Sequence, residues 1–287
     1  MRKEEKVKYL FLLPSVALVL SFVIFPLIYS VFLSLTNWQI GRELSFIGLS
    51  NYLKIFTDFR VLNSLEFTLK FIALTVPIEA FLALGLALLS QKSFTGNKVF
   101  RILCILPFFA SPIALSYLGI TIFYEEGGPL NNILSLIGVG KIPWISNPTY
   151  AFLSVSLLDI WQWTAFLYVI FLAGLESLPK DIYEAAMVDG ASGWRLFKSI
   201  TLPLLLPIIT TGVIFKVIES FKVFDLIYAL TGGGPGISTE SYTMYIYKTG
   251  LRFFRMGYAA SLSLILLIIL SILLMLAMIR LRRVYEV

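Results

Sequence analysis

Glu184-Ala185-Ala186-Met187-Val188-Asp189-Gly190-Ala191-Ser192-Gly193-Trp194-Arg195-Leu196-Phe197-Lys198-Ser199-Ile200-Thr201-Leu202-Pro203 is the longest charged, helix-compatible segment between two strongly apolar blocks. Pro179 suits the first turn of a helix, where its missing N–H costs nothing. Asp181 and Glu184 fall near the positive end of that helix, where negative charge is favoured. Gly190 is placed to end it, because a closing residue often needs a positive φ. Ser192 is suited to cap a second short helix, with Trp194, Phe197 and Ile200 on one face, and Leu202-Pro203 opens the next apolar block. The pattern predicts a helix–turn–helix elbow at a membrane surface, offering a small-residue face (Ala185, Ala186) to another component. The plainer alternative is an amphipathic linker between two spans.

Composition sets the solvent. The 287 residues are 58% hydrophobic with a mean hydropathy of +0.88, whereas soluble domains hold about 45–50% apolar residues. Only 14% are charged, against about 25% in soluble chains. A soluble enzyme could not hide this much apolar surface, so an integral membrane protein is expected. The net charge of +6 does not point to nucleic acid. Arg2, Lys3, Lys6 and Lys8 precede the first apolar block, and Arg280, Arg282 and Arg283 follow the last. Basic residues so placed act as topology determinants and phospholipid anchors.

Several chemistries are excluded or disfavoured. The single cysteine, Cys104, cannot pair within the chain, and no zinc site is expected. No histidine is present, which removes Ser-His and Cys-His catalysis and histidine-based metal ligation. No G-x-x-x-x-G-K-[ST] phosphate loop occurs, so the chain cannot hydrolyse ATP alone. A non-catalytic protein holding no cofactor or metal of its own is expected.

A membrane span needs about twenty mostly apolar residues. Six blocks qualify, at about 9–35, 69–90, 101–123, 151–174, 202–223 and 259–280. The first is too long for a cleavable signal region and lacks a small-x-small site after it, so it reads as a retained span. Pro14 and Pro26 within it are tolerable in a membrane bundle. Lys and Arg are dense in the N-terminus, the 91–100 loop, the elbow and the C-terminus, and sparser in 36–68, 124–150 and 224–258. The positive-inside rule puts the dense set, both termini included, in the cytoplasm. Three parts follow: 1–64 (N-terminal segment, first span and outer loop), 65–280 (the remaining spans with an elbow at 179–200) and a 281–287 tail.

Polar and ionisable residues inside a bilayer are costly and therefore candidates for function. Asp159, Gln162 and Trp163 recur at i, i+3 and i+4 in the fourth span, and Lys216, Glu219 and Ser220 do so in the fifth. Two such faces around one wet cavity would offer hydrogen bonds to hydroxyls and an aromatic platform, as sugar binding requires. The alternative is that Asp159 and Lys216 pair with each other and only hold helices together. Lys222 and Asp225 fit a solvated interface, and Glu79 with Pro77 fits a kink or an inter-helix hydrogen bond. Small residues at Ala83, Gly85 and Ala87, and at Ala259, Ala260, Ser261 and Ser263, allow close helix packing.

The elbow also resembles a family signature. Glu-Ala-Ala, three residues, Gly190, nine residues, Ile200, one residue and Leu202-Pro203 is similar to the EAA loop of permease subunits in binding-protein-dependent ABC importers. Asp189 is frequent there too. Gly48-Leu49-Ser50-Asn51-Tyr52 resembles a "GLxNY" stretch of the same family. Ser220-Phe221-Lys222-Val223-Phe224-Asp225, with Thr231-Gly232-Gly233-Gly234-Pro235 after it, resembles the carbohydrate-type subgroup.

The resemblance implies an all-α, six-span type I importer permease, the first of a heterodimeric pair, carrying a sugar or oligosaccharide. It implies a second homologous permease, two cytoplasmic ATPase subunits that use ATP and Mg, and an extracytoplasmic solute-binding protein. Glu184, Ala185, Ala186, Asp189, Gly190, Ile200 and Pro203 would then couple to the ATPase. Asp159, Gln162, Trp163, Lys216, Glu219 and Ser220 would be candidates for the substrate path in a bacterial or archaeal cytoplasmic membrane. A glycerol-3-phosphate importer shares much of this pattern, and Lys216 would suit a phosphate. An ion-gradient-driven secondary transporter stays open as a different class, with Asp159 as a proton carrier.

Overall fold

A computed structural model describes residues 3–92 and 94–285. Arg2 and the last two residues of the expected tail lie outside the described residues, as do the side chains of Lys3, Lys6, Lys8, Arg280, Arg282 and Arg283. In chain order the helices are α1 (Lys3–Val19), α2 (Phe25–Ser34), α3 (Ser50–Ile55), α4 (Phe59–Gln91), α5 (Asn97–Ile105), α6 (Pro112–Ile122) and α7 (Pro129–Leu136). They continue as α8 (Pro148–Glu176), α9 (Lys180–Val188), α10 (Gly193–Leu196), α11 (Leu202–Phe221), α12 (Asp225–Leu230), α13 (Tyr242–Tyr247) and α14 (Met256–Tyr285). Among the described residues no β-strand forms, and Thr36 and Phe46 make an isolated bridge.

Among the described residues, five helical stretches are long and apolar enough to cross a membrane: Phe11–Ser34, Phe59–Gln91, Pro148–Glu176, Gly193–Phe221 and Met256–Ile279. A sixth crossing exists if Asn97–Phe109 and Pro112–Ile122 count as one span. That third span departs from the single block the sequence suggests, because its two arms meet at 98°. Proline explains the break. Ser111 precedes Pro112, which pushes a residue out of the helical region, and Ala110 and Ser111 are both extended, at ψ 130 and 134°. Inside a bilayer the freed carbonyls need partners, and Gln162 Nε2 donates to the Ala110 carbonyl at 2.6 Å.

Two other prolines are absorbed without a break. Leu20–Ile24 and Phe197–Thr201 are π-helical turns, each followed directly by a helix with proline at its second residue. The Phe25 and Leu202 N–H groups reach back five residues, to the Leu20 and Phe197 carbonyls. The register shift accommodates the missing N–H of Pro26 and Pro203. One consequence concerns the elbow. Its second arm is not a separate helix, because Gly193–Phe221 runs on as a single span.

The chain divides into two compact units. One comprises Met1–Val61 with Tyr245–Leu270. There the buried Asn51 donates to the carbonyls of Ser34 and Thr36, each at 2.8 Å, closing the end of α2. The Tyr52 and Ser34 hydroxyls share a hydrogen bond of 2.7 Å. That is the physical content of the Gly48–Tyr52 stretch: its Asn satisfies orphan carbonyls at the end of the first span, and its Tyr ties to the Ser34 hydroxyl beside them. Asp58 accepts from the Tyr245 and Tyr258 hydroxyls at 2.7 and 2.8 Å.

The other unit comprises Leu62–Met244 and Ser271–Val287. Asn147 opens α8 as a capping residue, its Oδ1 accepting from the Thr149 N–H at 3.0 Å. Helices α8 and α11 pack closely through glycine. A Cβ on Gly174 would come within 2.9 Å of Ile208 and Leu205, and one on Gly212 within 3.1 Å of Phe171. Ala83 and Ala87 of α4 are fully buried in the same core as Leu167 and Phe171. Gly85 takes no part in this packing within the chain: it is exposed, with open space where a Cβ would stand. Ala83 and Ala87, four apart, share a helix face, and the residue two from each lies opposite.

Candidate functional site

The elbow is built by its terminus. Helix α9 ends at Val188, and Gly190 takes φ +79°. The Gly190 N–H bonds to the Met187 carbonyl at 3.0 Å and the Ala191 N–H to the Ala186 carbonyl at 2.9 Å. Those two bonds make a Schellman closure, which glycine adopts without Cβ strain. Ser192 precedes α10 in an extended conformation but makes no side-chain cap bond, contrary to the sequence expectation. Pro179 sits one place before α9 rather than inside it.

The elbow presents apolar side chains to its surroundings. Val188 is 87% and Trp194 73% exposed, and Met187 is also exposed. Ala185, Glu184, Asp189 and Pro203 are exposed too, whereas Ala186 and Ile200 are half-buried. Exposed apolar patches rimmed by polar groups mark interaction sites. Tyr183 braces this surface to the fifth span, its hydroxyl donating to buried Thr201 Oγ1 at 3.0 Å. Beside it opens a groove of about 630 Å³ lined by Arg101, Glu176, Lys180, Tyr183 and Glu184 among others.

Within the membrane, α4, α8 and α11 converge on one ammonium. Lys216 Nζ lies 2.7 Å from Asp159 Oδ2 and 3.4 Å from Glu79 Oε1, and all three side chains are buried. The Trp163 ring covers the same ammonium at 4.6 Å from its centroid, a cation–π contact. A charge buried in the bilayer must be paired, and this arrangement pairs it from two helices. Beside the cluster is a cavity of about 100 Å³ lined by Asp159, Gln162, Trp163, Glu219, Lys222 and Asp225 among others. That is well below the ~300–1,000 Å³ of pockets for drug-sized ligands.

The sequence comparison decides the family. Residues 9–284 match the family of the binding-protein-dependent transport system inner membrane component. The chain belongs to this family of importer permeases. The permease is 37% identical over 248 residues to the trehalose/maltose transport system permease protein MalF of Thermococcus litoralis, covering 86% of this chain and 84% of that protein. It is 36% identical over 263 residues to the sulfoquinovosyl glycerol transport system permease protein SmoG of Agrobacterium fabrum, covering 90% and 84%. The crystal structure of a bacterial ABC transporter that imports the acidic polysaccharide alginate aligns with a TM-score of 0.85 at 23% identity, covering 98% of this chain and 96% of that one, which shows the fold. The permease is an all-α, multi-pass membrane protein with the type I importer fold, a transport subunit rather than a catalyst.

The permease brings together most of the intramembrane residues singled out from sequence. Asp159, Gln162, Trp163 and Glu219 share the cavity lining. Lys216 does not line it: it is enclosed behind Asp159 and Trp163. Ser220 is buried, does not line the cavity and has no hydrogen-bond partner for its hydroxyl. Gln162 is partly committed, since its amide nitrogen serves the Ala110 carbonyl.

Glu79 is the residue that sequence reasoning undervalued. Its signal was its place as an intramembrane acid, but nothing in the spacing tied α4 to α11. Lys222 and Asp225 are exposed, as a solvated position requires, and both also line the cavity. Tyr183 and Thr201 were missed, and their contact is visible only in three dimensions.

Proposed function

We propose that this permease forms half of the translocation path for a sugar or oligosaccharide, driven by ATP hydrolysis in partner subunits. It pairs with a second, homologous permease and receives solute from an extracytoplasmic binding protein. Its elbow docks on one of two cytoplasmic ATPase subunits, and ATP and Mg act there, with no cofactor held by this chain. The assembly sits in a bacterial or archaeal cytoplasmic membrane with both termini in the cytoplasm, in keeping with the density of Lys and Arg there.

The observation that carries the reading is the continuity of elbow and span. Gly193–Phe221 is one helix of 29 residues, about 43 Å at 1.5 Å per residue. A push on the exposed Val188–Trp194 surface is therefore transmitted along a rigid rod to Lys216 and Glu219. Docking is a helix-in-groove contact, with Glu184 as the charged member and Gly190 setting the angle. The sugar assignment is supported by a relative named for trehalose/maltose, and by acceptors and an indole beside one cavity.

Affinity purification from native membranes, with mass spectrometry, tests the assembly. Recovery of a second six-span permease and a Walker-motif ATPase, the ATPase being lost with Gly190→Pro, supports it. Recovery of the chain alone, with solute uptake that survives ATP depletion, overturns it.

A further inference from the structure

Past the end of α2 and at the start of α14 lies a second cavity, of about 260 Å³, lined by Trp38, Gln39, Lys54, Arg255 and Tyr258 among others. It sits at the ends of the first and last spans that are remote from the chain termini. The lining holds two cations and no carboxylate. Lys54 Nζ stands over the Tyr258 ring, 5.3 Å from its centroid, and neither Lys54 nor Arg255 has an ion-pair partner among the described residues. Asp58, which accepts from the Tyr258 hydroxyl, does not line the cavity and is committed to two tyrosines.

The walls are held by main chain, so the cavity is pre-formed. The Gly257 N–H donates to the Trp38 carbonyl at 3.0 Å, and the Ile40 N–H to the Phe254 carbonyl at 3.1 Å. A Cβ on Gly257 would collide with the Thr36 carbonyl oxygen, so glycine alone allows this approach. Phe254, immediately before Arg255, takes φ +56°, a conformation uncommon outside glycine. A ligand meeting two fixed walls gives up little ordering free energy on binding.

The surroundings decide what kind of anion fits. Ile40, Leu53 and Phe254 are exposed beside the cavity, and Ile28 and Phe32, one turn apart on α2, are exposed along the span that leads to it. An indole at the end of a span marks the boundary between bilayer and water. The volume is below the ~300–1,000 Å³ of pockets for drug-sized ligands, which suits a headgroup rather than an oligosaccharide. An acidic loop of a protein partner would meet the charge but has no reason to sit at bilayer depth. A group that is anionic in front and apolar behind meets both.

We propose that this cavity binds the phosphate of an anionic phospholipid, with Arg255 taking it through the fork of its guanidinium and Lys54 acting as a point charge. The bound lipid clamps the 36–47 segment against the start of α14. The site depends neither on the solute carried nor on the elbow.

Native mass spectrometry tests it, on the permease purified with the subunits that accompany it and titrated with phosphatidylglycerol or phosphatidylcholine. One phosphatidylglycerol should be held in preference to phosphatidylcholine. Lys54→Gln or Arg255→Gln should weaken its binding about fivefold, and the double variant about twenty-five-fold, the effect of one or two basic residues at an anionic surface. Arg255→Lys, which keeps the charge and loses the fork, should fall between wild type and Arg255→Gln.

Equal binding of the two lipids, or binding that the double variant leaves unchanged, overturns the proposal. Displacement of the lipid by millimolar inorganic phosphate would make this a soluble-anion site and overturns the lipid assignment. Loss of a co-purifying protein from the double variant, with the lipid retained, would make it a protein contact and is equally fatal. If the double variant does not assemble, Trp38 reports from the unaltered cavity in proteoliposomes. Its fluorescence, isolated by difference from Trp38→Phe, should be quenched several-fold more by phosphatidylglycerol brominated on its acyl chains than by phosphatidylcholine labelled in the same way. Equal quenching by both sinks the site.

Discussion

Lys216 Nζ stands 2.7 Å from Asp159 Oδ2, and both side chains are buried. Fifty-seven positions apart in the chain, the two residues join the spans on either side of the elbow. Any motion that separates α8 from α11 must break or carry this pair. Breaking a buried pair by removing one partner costs about 3–5 kcal/mol.

The triad makes that cost asymmetric. Lys216→Met leaves Glu79 and Asp159 facing each other without a cation and should destabilise by at least that ~3–5 kcal/mol. Asp159→Asn leaves the Lys216–Glu79 pair and should be milder. Melting of the purified importer, followed by size-exclusion chromatography, checks the order. An equal loss in both variants would show that Glu79 does not share the charge.

Gly190 has open space where a Cβ would stand, so a substitution there meets only backbone strain at φ +79°. A left-handed conformation costs an L-residue about 1–2 kcal/mol. Gly190→Asn should keep most ATP-driven uptake, Gly190→Ala less and Gly190→Val least. Transport assays matched for membrane insertion measure the series. A flat series would remove Gly190 from the coupling role.

Val188 is 87% exposed, so its side chain buries little within this chain. Val188→Lys should leave its melting within about 0.5 kcal/mol, as surface changes do. Co-purification of the ATPase should fall at least about tenfold, the effect of a lost hot-spot contact. Undiminished capture of the ATPase by this variant would put the docking face elsewhere.

Gly174 and Gly212 hold α8 and α11 at close approach. Gly174→Val should cost about 1–3 kcal/mol through overpacking against Ile208 and Leu205. The same change at Gly85, which faces open space, should be close to neutral for packing. Paired melting curves decide between them.

Outside the spans, Asp58 ties α13 and α14 together. Burial raises its carboxyl pKa, but the Tyr245 and Tyr258 hydroxyls and the Arg60 and Val61 N–H groups outweigh it, and the net shift is downward. Tyr245 is pushed up to about 12, by burial first and by the Asp58 carboxylate next. The depressed Asp58 stabilises this unit above the ordinary carboxylate value of about 3.9, and that contribution is lost as pH falls through the lowered value. The raised Tyr245 contributes in full below the ordinary phenol value near 10, and that is lost as pH rises through about 12. The protection factors of the amides across residues 244–249, which correct for the intrinsic pH dependence of exchange, should therefore be flat between the two limits and fall beyond either. Asp58→Asn should abolish the acid limb.

Much of the candidate site was legible as types and spacings. The Glu184–Pro203 run carried the elbow, because a glycine at a helix end and a proline at the next helix start are local requirements. Intramembrane Asp159 and Lys216 stood out because a bilayer penalises charge wherever it sits in the chain. The proline-induced bend at Ala110–Pro112 was less legible, since hydropathy is the same along both arms and only the backbone geometry turns.

By itself, the sequence determined the membrane class, the positions of the apolar blocks, the elbow with its Gly190 terminus and the absence of histidine-based or phosphate-loop chemistry. Each of these follows from composition or from interactions within a few residues. Only the tertiary structure decided that Glu79 joins Lys216 and Asp159, that Gln162 spends its amide on Ala110, that Tyr183 braces Thr201, and that Gly85 faces away from the core while Ala83 and Ala87 pack. These contacts join separate helices or depend on which side of a helix meets a neighbour. Helix periodicity defines a face, but it does not say which neighbouring helix that face will meet.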